Sequence, residues 1–119
     1  ETLEIHTSAA QFMFNEDCSS MFAYLSNITA IDFNDCVNTA KVTIMSYMFY
    51  DCFALTSLDL SSFDFKENVI LTGMFYYLGS EVTNKPISVY VKDANDKQKL
   101  DNPNTGIDSS FAEIKVKQP

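Results

Sequence analysis

Glycine is scarce in this chain. Three glycines in 119 residues, none in a glycine-rich run, argue against a loop that cradles phosphate through its backbone. Basic residues are few as well, eight against sixteen acidic ones, for a net charge of −8. Nucleic acid is therefore not expected as a partner, because phosphate binding needs a Lys/Arg surface. An anionic membrane surface is disfavoured for the same reason. No run of eighteen apolar residues occurs, so no membrane-inserting helix is expected. The opening "ETLEIHTSAAQF" lacks a basic segment followed by an apolar one, so no signal peptide is expected in this stretch. There is one histidine and no C-x-x-C, H-E-x-x-H, G-x-S-x-G or G-x-x-x-x-G-K-S/T. No catalytic site, metal or cofactor is expected, and the chain is not expected to be an enzyme.

What is present is an apolar content of 46% with 20% charged residues, enough for one globular domain with a real core. Its organisation is repetitive. Met-Phe occurs at Met21-Phe22, Met48-Phe49 and Met74-Phe75, in steps of 27 and 26 residues. Aligned on each Met, six columns stay apolar. They hold Cys18, Met45 and Leu71; Leu25, Cys52 and Leu78; Ile28 and Leu55; Ile31 and Leu58; Phe33 and Leu60; Cys36 and Phe63. The chain is a repeat protein, and successive units must stack to bury their apolar faces.

Each unit reads as two elements. "SLDLSSF" alternates Leu58 and Leu60 with Ser57, Asp59 and Ser61, as a short strand does. "MFYDC" carries apolar residues at i, i+1 and i+4, which predicts a helical turn. The expected fold class is α/β. It is a short leucine-rich-repeat-like solenoid over residues 1–91, with about three units of 26–28 residues, each a parallel strand plus a helical turn. Residues 92–119 are read as a C-terminal cap of the same domain. "ISVYV" predicts a strand, Asp93 a helix N-cap for a helix through Leu100, "DNPNTGIDSS" a loop and "FAEIKVK" a last strand.

"SYMFYDCFALTSLDLSSFDFKENVILTGMF" resembles the 26-residue bacterial surface-protein repeat of BspA-like and listerial lipoprotein leucine-rich proteins. The resemblance is close over residues 46–63 and looser over 19–45, where Leu25 stands for the Cys and "ITAIDFNDC" for "LTSLDLSSF". It implies an extracellular or cell-surface location and non-catalytic adhesion to a protein or glycan of a host or neighbouring cell. The alternative is a passive spacer that projects another module from the envelope.

The residues that chemistry might recruit have plainer readings. Cys18, Cys36 and Cys52 fall in three different apolar columns, as small buried hydrophobes do. His6 sits in the first strand on the outward side with Glu4, without a third group to complete an acid–base site. Asn27 opens an N-I-T glycosylation sequon at the edge of a repeat strand. The outward strand positions form three expected columns: Thr2, Ala30 and Ser57; Glu4, Asp32 and Asp59; His6, Asn34 and Ser61. The middle column is acidic throughout. At a rung spacing of about 4.8 Å its neighbouring charges repel by about 3 kcal/mol before screening. Water and salt lower that, so the ladder is read as tolerated repeat chemistry, with relief by a cation or a partner's Lys/Arg as the alternative. The expected binding surface is this outward face, with Glu4, Asp32, Asn34, Ser57, Asp59 and Ser61.

Overall fold

The computed structural model describes residues 1–7 and 11–119. The chain winds about four turns of a parallel-strand solenoid. Its principal sheet face is built from β1 (Thr2–Glu4), β3 (Ala30–Asp32), β5 (Ser57–Asp59), β6 (Ile87–Val91) and β7 (Ala112–Val116). β1 pairs with β3 in the register Leu3↔Ile31 and Glu4↔Asp32. β5 pairs with β6 through Leu58↔Val89 and Asp59↔Tyr90, and β6 pairs with β7 through Val89↔Ile114. All these pairs are parallel, as a chain that winds in one direction requires. Among the described residues no ladder joins β3 to β5. There the coils are linked by Thr56, whose N–H donates to the Thr29 carbonyl at 3.0 Å. A second, narrower face holds β2 (Phe12–Met13) on β4 (Val37–Asn38) and the bridges Asp17↔Ile44↔Ile70.

The third face carries the Met-Phe segments, and it is not helical. The N–H groups of alternate residues leave their own coil for the next one: Phe22 donates to Met48 at 3.0 Å, Tyr24 to Tyr50 at 2.8 Å, and Phe49 to Met74 at 3.0 Å. The residues between close tight turns within the coil, Ala23 on Ser20 at 3.1 Å and Tyr50 on Tyr47 at 3.1 Å. Four-residue spacing of left-handed backbone marks the pattern: Ser20 and Tyr24 at φ 58° and 64°, Tyr47 and Asp51 at 57° and 58°, Gly73 and Tyr77 at 66° and 62°. Stacked β-turns return a side chain to the same side about every four residues, much as a helix does. The expected helical turn per repeat is corrected to this turn stack, and with it the α/β, leucine-rich-repeat character. Among the described residues the single α-helix is α1 (Ala94–Leu100), seven residues long, in the cap.

The apolar columns and the Met-Phe pairs together supply the core. Met45, Met48, Phe49, Cys52, Leu55, Leu60, Phe63 and Met74 are fully buried. Phe22, Phe49 and Phe75 stack along the axis, with centroids 5.7 and 6.3 Å apart and planes within 10° and 8° of parallel. Met21 departs from its column mates: it belongs to the first of the three stacked turns and is 42% exposed, near the exposed Phe12 and Met13. At the other end Asp93 caps α1 as expected, accepting from the Asp96 N–H at 2.9 Å. β7 buries Ala112 and Ile114, whereas Phe111 lies under Lys85 with the ammonium 5.5 Å from its ring centroid.

Candidate functional site

On the strand face the structure brings together four of the six sequence-predicted residues. Asp32, Asn34, Asp59 and Ser61 line a hollow of about 310 Å³ between coils two and three, where the ladder is interrupted. Asp35, Ser62 and Lys117 with the apolar Ile31 and Phe33 complete its wall. Glu4 and Ser57 are exposed on the same face but outside the hollow, Glu4 facing His6 at 3.0 Å on an open surface. In the next strand Ser57 pairs with Ser88 and Asp59 with Tyr90, so the acidic column ends at Asp59 and continues as Tyr90 and Lys115.

The two aspartates have a structural task that their column position conceals. Asp32 Oδ1 accepts the Asn34 N–H at 2.8 Å, and Asp59 Oδ1 accepts the Ser61 N–H at 2.9 Å. Each is an Asx-turn that ends a strand and bends the chain into the next corner. The same device recurs at Asp17 with Ser19 and at Asp108 with Ser110, where the hydrogen bonds hold both carboxyls below the ordinary range. At Asp59 the chain supplies a counter-charge of its own. Lys117 Nζ lies 2.6 Å from Asp59 Oδ2.

Partial burial pushes the Asp59 pKa up, but Lys117 and Ser61 outweigh it and hold it below its ordinary 3.8. The Lys117 ammonium is raised above 10.5, chiefly by its bond to Asp59. Asp59 thus favours the fold above pH about 3.8 and loses that contribution as pH falls through its lowered value. Lys117 favours it below about 10.5 and loses that as pH rises through its raised value. Lys117→Met is expected to move the Asp59 carboxyl titration upward, read by carbon-detected NMR. A titration that does not move would dissolve the pairing.

Sequence reasoning that follows apolar columns passes over a second surface. Five of the six tyrosines gather on the turn face, where Tyr24, Tyr47, Tyr50, Tyr76 and Tyr77 with Ser20 line a cavity of about 480 Å³. Tyr50 is central, at 5.3 Å and 89° from Tyr24, 5.9 Å and 84° from Tyr47, and 6.5 Å and 88° from Tyr76. Tyr24, Tyr47, Tyr76 and Tyr77 are 67, 41, 43 and 53% exposed. The backbone accommodates them at a cost, because Tyr24, Tyr47 and Tyr77 all have positive φ. Two glycines make room: a Cβ on Gly73 would lie 2.6 Å from Tyr47 Cδ1, and one on Gly106 2.7 Å from Tyr76 Cδ1. A signal was present, since Tyr24, Tyr50 and Tyr76 recur at 26-residue steps.

The cysteines are free thiols: Cys18 and Cys52 are buried in the core as expected, whereas Cys36 is only half-buried. Cys52 donates to the Phe22 carbonyl of the coil before it at 3.0 Å, and burial pushes its thiol up to about 11. A thiol so protonated is a poor nucleophile. Among the described residues no cluster of three or more His, Cys, Asp or Glu is placed to hold a metal ion, and no helix is long and apolar enough to cross a membrane. The class that fold and surface define is a parallel-strand solenoid with two lined exposed faces. No protein-family description, curated protein or solved structure matches the chain.

Proposed function

We propose that this protein is a non-catalytic interaction module of a bacterial surface, adhering to a protein or glycan through the strand face. The observation that supports this reading is the hollow between coils two and three. Asp32, Asn34, Asp35, Asp59 and Ser61 converge there from two coils, with one cation, Lys117, among them. Such a wall offers carboxylates, an amide and a hydroxyl, the groups that engage sugar hydroxyls or a basic protein surface. The resemblance of residues 19–92 to BspA-like, leucine-rich surface repeats supports the location and the adhesive role.

The test is capture of extracellular-matrix proteins and glycans on the immobilised chain, followed by affinity measurement on each ligand retained. Asp32→Lys with Asp59→Lys is expected to weaken binding at least tenfold. Asn at both positions keeps the oxygen that each Asx-turn uses, so it separates a charge requirement from a folding one. Binding that ignores the Lys pair removes the hollow from consideration, and a chain that captures nothing favours the spacer reading.

A further inference from the structure

The tyrosine tract is a different surface from the hollow, and its chemistry selects a different kind of ligand. We propose that it is a docking site for a basic polypeptide segment, whose Arg and Lys side chains lie against the tyrosine rings.

Charge is the first argument. Residues 1–84, which contain the whole tract, hold eleven acidic side chains and two lysines, whereas residues 85–119 hold five and six. The tract cavity itself is lined by the tyrosines and Ser20 and by no charged side chain of either sign. Asp51 follows Tyr50 directly and has no ion-pair partner among the described residues. Its charge is the leading cause of the upward shift of the Tyr50 phenol, and the same field attracts a cation.

Ring geometry is the second argument. A neutral sugar stacks on a flat aromatic platform, but here Tyr50 meets Tyr24, Tyr47 and Tyr76 at 84–89° and Tyr77 is tilted 59° from Tyr50 and 40° from Tyr76, so the five rings share no plane. An ammonium or guanidinium needs only one ring face at a time, so rings set at different angles around one cavity suit it where a sugar needs a plane, and guanidinium stacks best. The tract spans three coils along the solenoid axis, so an extended segment laid along it meets rings from each. Gly73 and Gly106, with the left-handed tyrosines, hold the rings in place before any ligand arrives. A surface so preorganised loses little side-chain freedom on binding.

The absence of tryptophan supplies the readout, because tyrosine emission then reports on a tract that holds five of six fluorophores. The whole chain is titrated with an eight-residue Arg/Gly peptide, its citrulline counterpart and a neutral cello-oligosaccharide. The Arg peptide is expected to bind and to change the emission, and citrulline to weaken it at least tenfold. Tyr24→Ser with Tyr77→Ser is expected to weaken Arg-peptide binding at least tenfold. Tyr24→Phe with Tyr77→Phe, which keeps the rings, is expected to restore it, and Asp32→Asn with Asp59→Asn to leave it within twofold. Equal binding of the citrulline peptide overturns the proposal, as does Arg-peptide binding that survives loss of the rings. Retention of the oligosaccharide alone makes this a glycan surface instead. A chain that self-associates through the tract and ignores the peptide assigns the face to a second copy.

Discussion

Phe49→Ala is expected to lower the unfolding free energy by about 3–5 kcal/mol, the usual cost of truncating a buried phenylalanine. Phe49 is fully buried and stacks on Phe22 at 5.7 Å and on Phe75 at 6.3 Å. In a solenoid each coil contacts only its neighbours, so the stability of the stack is close to a sum of coils and interfaces. Removing the middle ring of three damages two interfaces at once. Phe22 has one stacked partner in this ladder and is 7% exposed, so Phe22→Ala is expected to cost less. Phe49→Leu keeps most of the volume and should cost about 1 kcal/mol. Urea denaturation followed by circular dichroism measures all three. For a domain of this size the Ala variant corresponds to a fall in Tm of about 10–25 °C. A loss below about 1 kcal/mol for Phe49→Ala would show that the ring ladder does not couple the coils.

The parts of this architecture that were legible in the sequence are those set by burial at a fixed step. Leu58 beneath Ile31, or Cys52 in the column of Leu25 and Leu78, needed only the register. The Met-Phe face carries a helical signature because helix and stacked β-turn share the i, i+1, i+4 pattern. What separates them is where alternate N–H groups go, and that is decided by the neighbouring coil rather than by local sequence. Asp32 and Asp59 were legible as a charged column but not as Asx-turns, although "DFN" and "DLS" place an N–H two residues after each carboxylate. Lys117 reaches Asp59 across 58 residues, a pairing no repeat register contains. Scarce glycine was read for what it excludes. Two of the three glycines turn out to seat tyrosine rings.

Lys92→Met is expected to destabilise the protein more than Asp96→Leu does, although both break the Lys92–Asp96 ion pair. Asp96 lies in the first turn of α1 with its side chain 3% exposed, and Lys92 Nζ sits 2.5 Å from Oδ2. The same ammonium donates to the Phe63 carbonyl at 3.1 Å and lies 3.5 Å from Asp64, so it pins the cap to the coil beneath. Removing Lys92 leaves a buried carboxylate without its cation, and such losses cost about 3–5 kcal/mol. The lower end applies here, because the Lys92 side chain is 38% exposed and water screens the pair. Removing Asp96 leaves an ammonium that still has Asp64, a carbonyl and solvent, and should cost about 1–2 kcal/mol. Lys92→Met with Asp96→Leu buries apolar groups in place of the pair and should recover most of the loss. The pH dependence carries a signature of its own. Partial burial pulls the Lys92 pKa down, but the bond to Asp96 and the charges of Asp64 and Asp93 outweigh it and raise it above 10.5. Its contribution is therefore complete below pH about 10.5 and is lost as pH rises through the raised value. The gap in stability between wild type and Lys92→Met should narrow in that alkaline window and stay flat between pH 6 and 9 (roughly, from the ordinary lysine range). A gap that stays constant through the alkaline range would mean that Lys92 supports the cap by the packing of its stem and not by its charge.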